Sequence, residues 1–435
     1  MKGRTLLALV VLGHAAAAQD NRVSRTLAGL DTLYPEVEKL YIDLHQNPEL
    51  SLQEEKTAAK LAARLVALGY TVTEKVGGHG IVAVLANGKG PTLLVRADLD
   101  GLPVEEKTGL PYASRVKATD DKGNTVSVMH ACGHDVHMSA LVGAATLLAK
   151  AREQWKGTLV LIGQPAEEKG GGAAAMLKDG LFTRFPRPDN AIAFHDSGDL
   201  PAGKVGYVSG FALANVDSVD VTIYGKGGHG AYPHQTVDPV VLAARTIVSL
   251  QTLVSRENNP FDPAVVTVGS IHGGTKHNIV SDEVKLQLTV RSYKDDVRKR
   301  LLSGIERIAK GEAAAAGAPK PPLVAVVEST PATYNDPGLT KTVASALRRQ
   351  FGEGNVVETP PVMGGEDFSE YGRAGVPAVL FWVGAQEPKR FEEARTTGIP
   401  APSIHSPQFA PDRERTLRTG VTALTVAALE LLGRP

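Results

Sequence analysis

Gly157-Thr158-Leu159-Val160-Leu161-Ile162-Gly163-Gln164-Pro165-Ala166-Glu167-Glu168 runs from an apolar stretch into a proline-broken turn that opens with two adjacent carboxylates and continues as Lys169-Gly170-Gly171-Gly172. A short continuous apolar run bounded by turn residues reads as a strand buried on both faces, as in a parallel sheet covered by helices. In such sheets ligands gather beyond the carboxyl ends of the strands. An arbitrary Glu-Glu is more often a solvated pair on a surface loop, so it is the position that favours a functional reading. Paired carboxylates there can divide the work, one binding metal while its neighbour handles protons.

The same grammar extends outward. Ser51-Leu52-Gln53-Glu54 reads as a capping box opening a helix that runs to Leu68 and stops at Gly69. Thr71 to Lys75, Ile81 to Leu85, Thr92 to Arg96, Thr158 to Ile162 and Ala191 to Phe194 read as strands, and Met138 to Ala151 as a helix. Together they predict an α/β fold with its sheet covered on both faces. After Pro201 the pattern changes to strand Val216–Tyr224, helix Val237–Ser255, strands Val265–Ile271 and Glu283–Ser292, helix Asp295–Ala315 and strand Leu323–Glu328. Two β-α-β units of this kind describe a ferredoxin-like α+β module. Helix Leu339–Arg349, strand Ala378–Val383 and a closing helix from about Asp412 to Leu432 return to the first pattern. The module is therefore expected as an insertion, at 216–331, in a catalytic domain made of 19–215 and 332–435.

Lys plus Arg and Asp plus Glu number 47 each in 435 residues, so the chain lacks the basic footprint of a nucleic-acid binder. A small-molecule or peptide substrate is expected instead. Lys2 and Arg4, an apolar run from Thr5 and the alanines ending at Ala18 resemble a signal peptide spanning 1–18. That run is too short to span a bilayer, so the expected fate is export, free in a periplasm or secreted, with no membrane attachment after cleavage. An exported chain with one cysteine makes no internal disulfide, so Cys132 needs protection by burial or by metal.

That cysteine lies in Met129-His130-Ala131-Cys132-Gly133-His134-Asp135-Val136-His137, where a thiolate, imidazoles and a carboxylate form a donor set suited to a borderline-soft divalent metal. The same run also reads as a buried cysteine beside a helix turn. His195 follows the strand ending at Phe194, and His405 sits in the proline-bounded loop Pro402-Ser403-Ile404-His405-Ser406-Pro407. Asp98 and Asp100, leaving the strand that ends near Arg96, point in alternate directions. Either one orients a site residue from behind while the other caps the turn, or both belong to a plain strand exit.

These stretches, with Gly225-Lys226-Gly227-Gly228-His229-Gly230, Lys276-His277-Asn278-Ile279-Val280 and Gly364-Gly365-Glu366-Asp367-Phe368, resemble in order the aminoacylase and carboxypeptidase family of dinuclear metallohydrolases. The branch they are most similar to includes hippurate hydrolase and indoleacetyl-amino-acid hydrolases. The resemblance implies a phosphorylase/hydrolase-like zinc-peptidase catalytic domain with an inserted ferredoxin-like lid or dimerisation domain, and a homodimer. It implies two divalent ions (Zn, Mn, Co or Ni) held by Cys132, His134, Glu168, His195 and His405, with Cys132 bridging. Glu167 becomes general base and acid, His229 and Asn278 contact the substrate carboxylate or the oxyanion, and Glu366 lines the site. Asp98 and Asp100 stand behind the ligands. The substrate is then an N-acyl amino acid, or alternatively a short peptide cleaved by a dipeptidase or carboxypeptidase. Two features depart from the family: Asp196-Ser197-Gly198-Asp199 follows His195 where an apolar continuation is usual, and no proline follows Asn278. A metal-dependent binding protein and a thiol hydrolase using Cys132 as nucleophile are the rival classes; the first has no use for Glu167, and the second survives chelators.

Overall fold

The computed structural model describes residues 21–434. The expected signal segment 1–18 lies outside the described residues. The chain divides into two compact units, the smaller made of Phe211–Thr333 and Pro361–Ser369. The larger holds the described residues up to Gly210, together with Tyr334–Pro360 and those from Glu370 onward.

The larger unit is built on an eight-stranded mixed sheet. Its strands are β1 (Thr71–Glu74), β2 (Ile81–Asn87), β3 (Thr92–Asp98), β4 (Gly157–Gln164), β5 (Asn190–Pro201), β6 (Val205–Tyr207), β7 (Val356–Glu358) and β8 (Ala378–Gln386). They are ordered β1-β2-β4-β3-β5-β8-β6-β7. The four central strands β4, β3, β5 and β8 are mutually parallel. Along β3, β4 and β8 nearly every residue is buried, although successive side chains point to opposite faces, so both faces are covered. β5 runs on to Pro201, so His195, which was expected to end it, stands within the strand opposite Trp382 of β8.

Three helices pack together in this unit: Leu30–Gln46, His134–Lys150 and Arg413–Leu431. They approach closely because small residues stand at the crossings. A Cβ on Gly143 would lie 2.6 Å from Val421, and one on Gly420 would lie 3.0 Å from both Ala140 and Phe194. The helix expected from Met138 begins at His134, because Gly133 takes a left-handed conformation (φ +76°) and turns the chain into it. That helix is buried all round, which explains its nearly continuous apolar sequence.

The smaller unit is a four-stranded antiparallel sheet in the spatial order 264–273, 283–292, 215–224, 323–330, packed with helices Pro239–Thr252 and Asp295–Ala315. Strand Asn215–Tyr224 alternates buried and partly exposed residues along its length. The period of two places Val219, Val221 and Ile223 in a core with Leu286, Leu288, Leu242 and Leu301. Each such side chain contributes roughly 1.5–3 kcal/mol by leaving water. This is the ferredoxin-like β-α-β-β-α-β order. Pro361–Ser369 clusters with this unit, although its sequence was expected to belong with 332–435. The reason is backbone pairing: Ala214 donates to the Gly364 carbonyl, and Leu213 bridges Val362.

Candidate metal centre

Four backbone features bring the donors together in the larger unit. The αL turn at Gly133 leaves Cys132 just ahead of the helix and His134 on its first turn. One turn on, His137 shares a face with His134, the rings 5.3 Å apart. At the end of β4, Ala166 (φ +50°, ψ 41°) turns the chain into a tight turn over Glu167–Lys169. The glycines after it are required by close approach, since a Cβ on Gly172 would lie 1.6 Å from the Pro165 carbonyl oxygen. His405 is also left-handed (φ +65°), held by its N–H donating to the Ala131 carbonyl at 2.7 Å.

Among the groups of donor atoms that lie within 4.8 Å of one another are two that contain the thiol, Cys132 with His134 and His195 and Cys132 with Glu168 and His405, and a third that joins His134 to Glu167 and Glu168. The first two share the cysteine. Cys132 Sγ lies 3.4 Å from His195 Nε2 and 3.1 Å from His405 Nε2. His405 Nε2 is 3.6 Å from Glu168 Oε1, and His134 Nε2 is 3.9 Å from carboxylate oxygens of both Glu168 and Glu167. Donors bound tetrahedrally at Zn–S ~2.3 Å and Zn–N ~2.0–2.1 Å would stand roughly 3.5 Å apart, so the spacing fits a cation.

The tautomers are set from behind. His134 Nδ1 donates to the Asp100 carbonyl at 2.8 Å, and His195 Nδ1 to the Asp196 carbonyl at 2.7 Å, which turns each Nε2 lone pair inward. His134 Nε2 and Glu168 Oε1 are buried without a hydrogen-bond partner, as atoms meant for another ligand would be. The electrostatics agree. Burial and the Glu168 charge push the Cys132 thiol well up, and burial raises Glu168 to about 7. Burial and the nearby His137 lower His195 to about 4, and burial with His134 lowers His405, so both are neutral lone-pair donors near pH 7. His134 goes the other way: burial opposes its charge, but Asp98 and Asp100 outweigh it and raise its pKa well above the usual range, so this imidazole must give up its Nε2 proton to bind metal.

Behind the donors runs a buried chain that the sequence reading did not assemble. Asp98 Oδ1 meets His137 Nδ1 at 2.6 Å, and His137 Nε2 meets Asp196 Oδ1 at 3.0 Å. Arg96 Nη1 donates to Asp98 Oδ2 at 2.6 Å. Burial opposes ionisation of Asp98, but Arg96, His134 and His137 outweigh it and hold the carboxyl well below its usual range. Asp100 therefore lies behind His134, its carbonyl on Nδ1, whereas Asp98 Oδ2 stands 3.5 Å from the inward-facing Nε2 and so does not take the place behind His134 expected of it. The signals were present as His137 three residues after His134 on a helix and as the acidic departure after His195.

The remaining residues singled out from the sequence lie in the smaller unit. His229 pairs with Ile279 in a two-residue ladder, and Gly230 donates to the Asn278 carbonyl at 2.9 Å, so His229 and Asn278 are neighbours. His229 is exposed, and its Nδ1 accepts the Ala231 N–H. Glu366 is buried, with Oε1 accepting the Phe368 N–H ahead of the short helix Ser369–Arg373. The donor groups described above are made of larger-unit residues alone.

Residues 94–397 match the family described as Peptidase family M20/M25/M40. An N-acetyl-L-cysteine deacetylase of Bacillus subtilis (strain 168) is 38% identical over 79% of this chain and 79% of its own length. A thermostable carboxypeptidase of Saccharolobus solfataricus is 35% identical over 89% of this chain and 93% of its own. Among solved structures, the YXEP protein of Bacillus subtilis, described as a dinuclear metal binding peptidase, is similar with a TM-score of 0.73 and 29% identity, covering 92% of this chain and all of that one.

Proposed function

The chain belongs to peptidase family M20/M25/M40 and is a metal-dependent hydrolase of amide or peptide bonds, and we propose that it acts on N-acyl amino acids with two divalent ions in the cluster around Cys132. The observation that carries this reading is the pair of donor groups sharing one thiol, with a second carboxylate, Glu167, beside His134. Bound there, divalent ions supply Lewis-acid polarisation of the amide carbonyl and bring the pKa of water toward neutrality.

The protein's own groups do the rest. Cys132, His134 and His195 would hold one ion, and Cys132, Glu168 and His405 the other. Glu167, on the same turn as Glu168 but free of ligand duty, takes a proton from the attacking water and returns it to the leaving amine. His134 and His195 cannot swing, because their Nδ1 atoms are tied to carbonyls. His229 and Asn278 are the groups offered for the substrate carboxylate or the developing oxyanion. A homodimer formed through the smaller unit, and export directed by residues 1–18, complete the proposal.

The 35% identity to a carboxypeptidase favours one second reading, cleavage of short peptides by the same machinery. Turnover of N-acetyl and N-benzoyl amino acids, compared with dipeptides on the zinc-loaded enzyme, separates the two. Faster release of amino acid from the acylated substrates supports the proposal. A preference for dipeptides replaces it with the second reading.

A further inference from the structure

The capping box expected at Ser51–Glu54 does not form, and the reason points beyond the helix. The helix begins at Glu55, and the Glu54 side chain makes no capping hydrogen bond to it. Ser51 Oγ donates instead to Asp100 Oδ2 at 2.6 Å. Glu54 is fully buried, and its Oε1 accepts two backbone N–H groups, those of Leu52 and Ala166, each at 2.8 Å. Its other oxygen, Oε2, is buried without a hydrogen-bond partner.

Both residues that donate to this oxygen are strained. Among the described residues only four that are not glycine have positive φ, and Leu52 (+69°) and Ala166 (+50°) are two of them. A left-handed conformation is unfavourable for any residue with a Cβ and persists only where surrounding contacts hold it. For Ala166 the hold is local to the proposed base: the next residues are Glu167 and Glu168, and its own carbonyl accepts from Gly171 and Gly172. A second carboxylate works in parallel, because Asp100 Oδ2 accepts both the Ser51 hydroxyl and the Glu168 N–H at 3.0 Å.

We infer that Glu54 is a positioning residue for the Glu167–Glu168 turn, clamping Ala166 in its left-handed conformation so that both carboxylates face the metal cluster. The inference rests on the roles proposed above for Glu167 and Glu168. A plain structural carboxyl would satisfy its own helix; this one gives its buried acceptor oxygen to a turn 112 residues away. Burial, with the nearby Asp100 charge, raises the Glu54 pKa.

The test compares Glu54→Gln, which keeps a carbonyl oxygen able to accept both N–H groups, with Glu54→Met, which keeps length and removes the acceptor. Each is made alone and with Ala166→Gly, which removes the penalty for positive φ. Hydrogen exchange of the 164–170 segment, zinc affinity by chelator competition, and kcat and KM are read on all variants. Glu54→Met is expected to speed exchange in that segment by about ten- to a hundredfold, to weaken zinc binding by about tenfold or more, and to lower kcat with KM little changed. Glu54→Gln should stay near wild type, and Ala166→Gly should restore most of the loss in the Glu54→Met protein.

If Glu54→Met does not fold alone, the Ala166→Gly background provides the host; a double variant that still fails to fold overturns the inference. So does unchanged exchange and zinc affinity in Glu54→Met, or absence of rescue by Ala166→Gly. Exchange and zinc affinity do not depend on substrate. Were the wild type to cleave none of the amides while Glu54→Met loosened the turn, the proposed function would fall and the clamp would stand. An active enzyme indifferent to Glu54 would give the reverse.

Discussion

Gly133→Ala should damage the site more than any contact of residue 133 itself suggests. The residue sits at φ +76°, and a Cβ there would lie 2.3 Å and 2.4 Å from the two carboxylate oxygens of Asp196. Adopting the left-handed conformation costs alanine about 1–2 kcal/mol. The Asp196 carboxylate, fully buried, must move by roughly an ångström to reach ordinary contact, which breaks its 3.0 Å hydrogen bond to His137. Leaving that buried pair unsatisfied costs about 1–3 kcal/mol. Lower entropy of the unfolded alanine chain offsets roughly 0.4–1 kcal/mol. The net expectation is about 2–4 kcal/mol of destabilisation, together with weaker metal binding, because His137 no longer supports Asp98 and His134. Both tryptophans, Trp155 and Trp382, belong to the larger unit, so urea unfolding of the metal-free protein followed by fluorescence reports on the unit concerned. Gly69→Ala is the control: it has φ +85° and no atom within 4 Å of the added Cβ, so it registers the backbone penalty alone. Equal losses in the two variants, with zinc affinity unaltered in Gly133→Ala, would show that the clash with Asp196 costs nothing and leaves the site undisturbed.

Other expectations follow from the same geometry. Glu167→Gln should keep metal and fold while lowering kcat at least about a hundredfold, because an amide cannot relay a proton; Glu168→Gln should instead release metal, and matching behaviour of the two would undo the division of labour, as elemental analysis and kinetics would register. His45 contacts Asp135 at 2.6 Å and Glu106 at 3.2 Å, and although burial opposes its charge these carboxylates raise its pKa to about 10. Its contribution to stability is therefore fully present below about 6.5 and lost as pH rises through about 10, so His45→Gln should flatten the alkaline limb of the urea midpoint against pH and leave a wild-type-like slope only if the ion pair is idle. Cys132 should alkylate slowly in the metal-loaded protein and faster after metal removal, a contrast that mass spectrometry reads; equally slow labelling in both forms would mark it as merely buried.

The residues named from sequence as donors stand together because each occupies a place that local rules identify: Glu168 after a buried strand, His134 after a glycine turn, His405 in a proline-bounded loop. The ferredoxin-like unit was legible for a related reason, since its strands alternate with a period of two over as many as ten residues. What escaped is nonlocal. Ser51-x-x-Glu54 has the same pattern whether its side chains turn back on their own helix or out to Asp100 and Ala166, and only the tertiary fold decides between them. The Asp98–His137–Asp196 chain joins residues from two strands and a helix, and no spacing announces it. The helix start at His134 was placed four residues late because the left-handed turn at Gly133 leaves no apolar signature.

Cys132 is the donor common to the two proposed cation sites, its sulfur belonging to both groups. Metal content of the purified protein, measured beside Cys132→Ala after identical zinc loading and dialysis, tests it most directly. Two zinc ions per wild-type chain and loss of both from the variant are expected, since each group of donors includes the same sulfur. Two ions retained by Cys132→Ala, or a wild-type chain that holds none and hydrolyses amides after prolonged chelation, would contradict it.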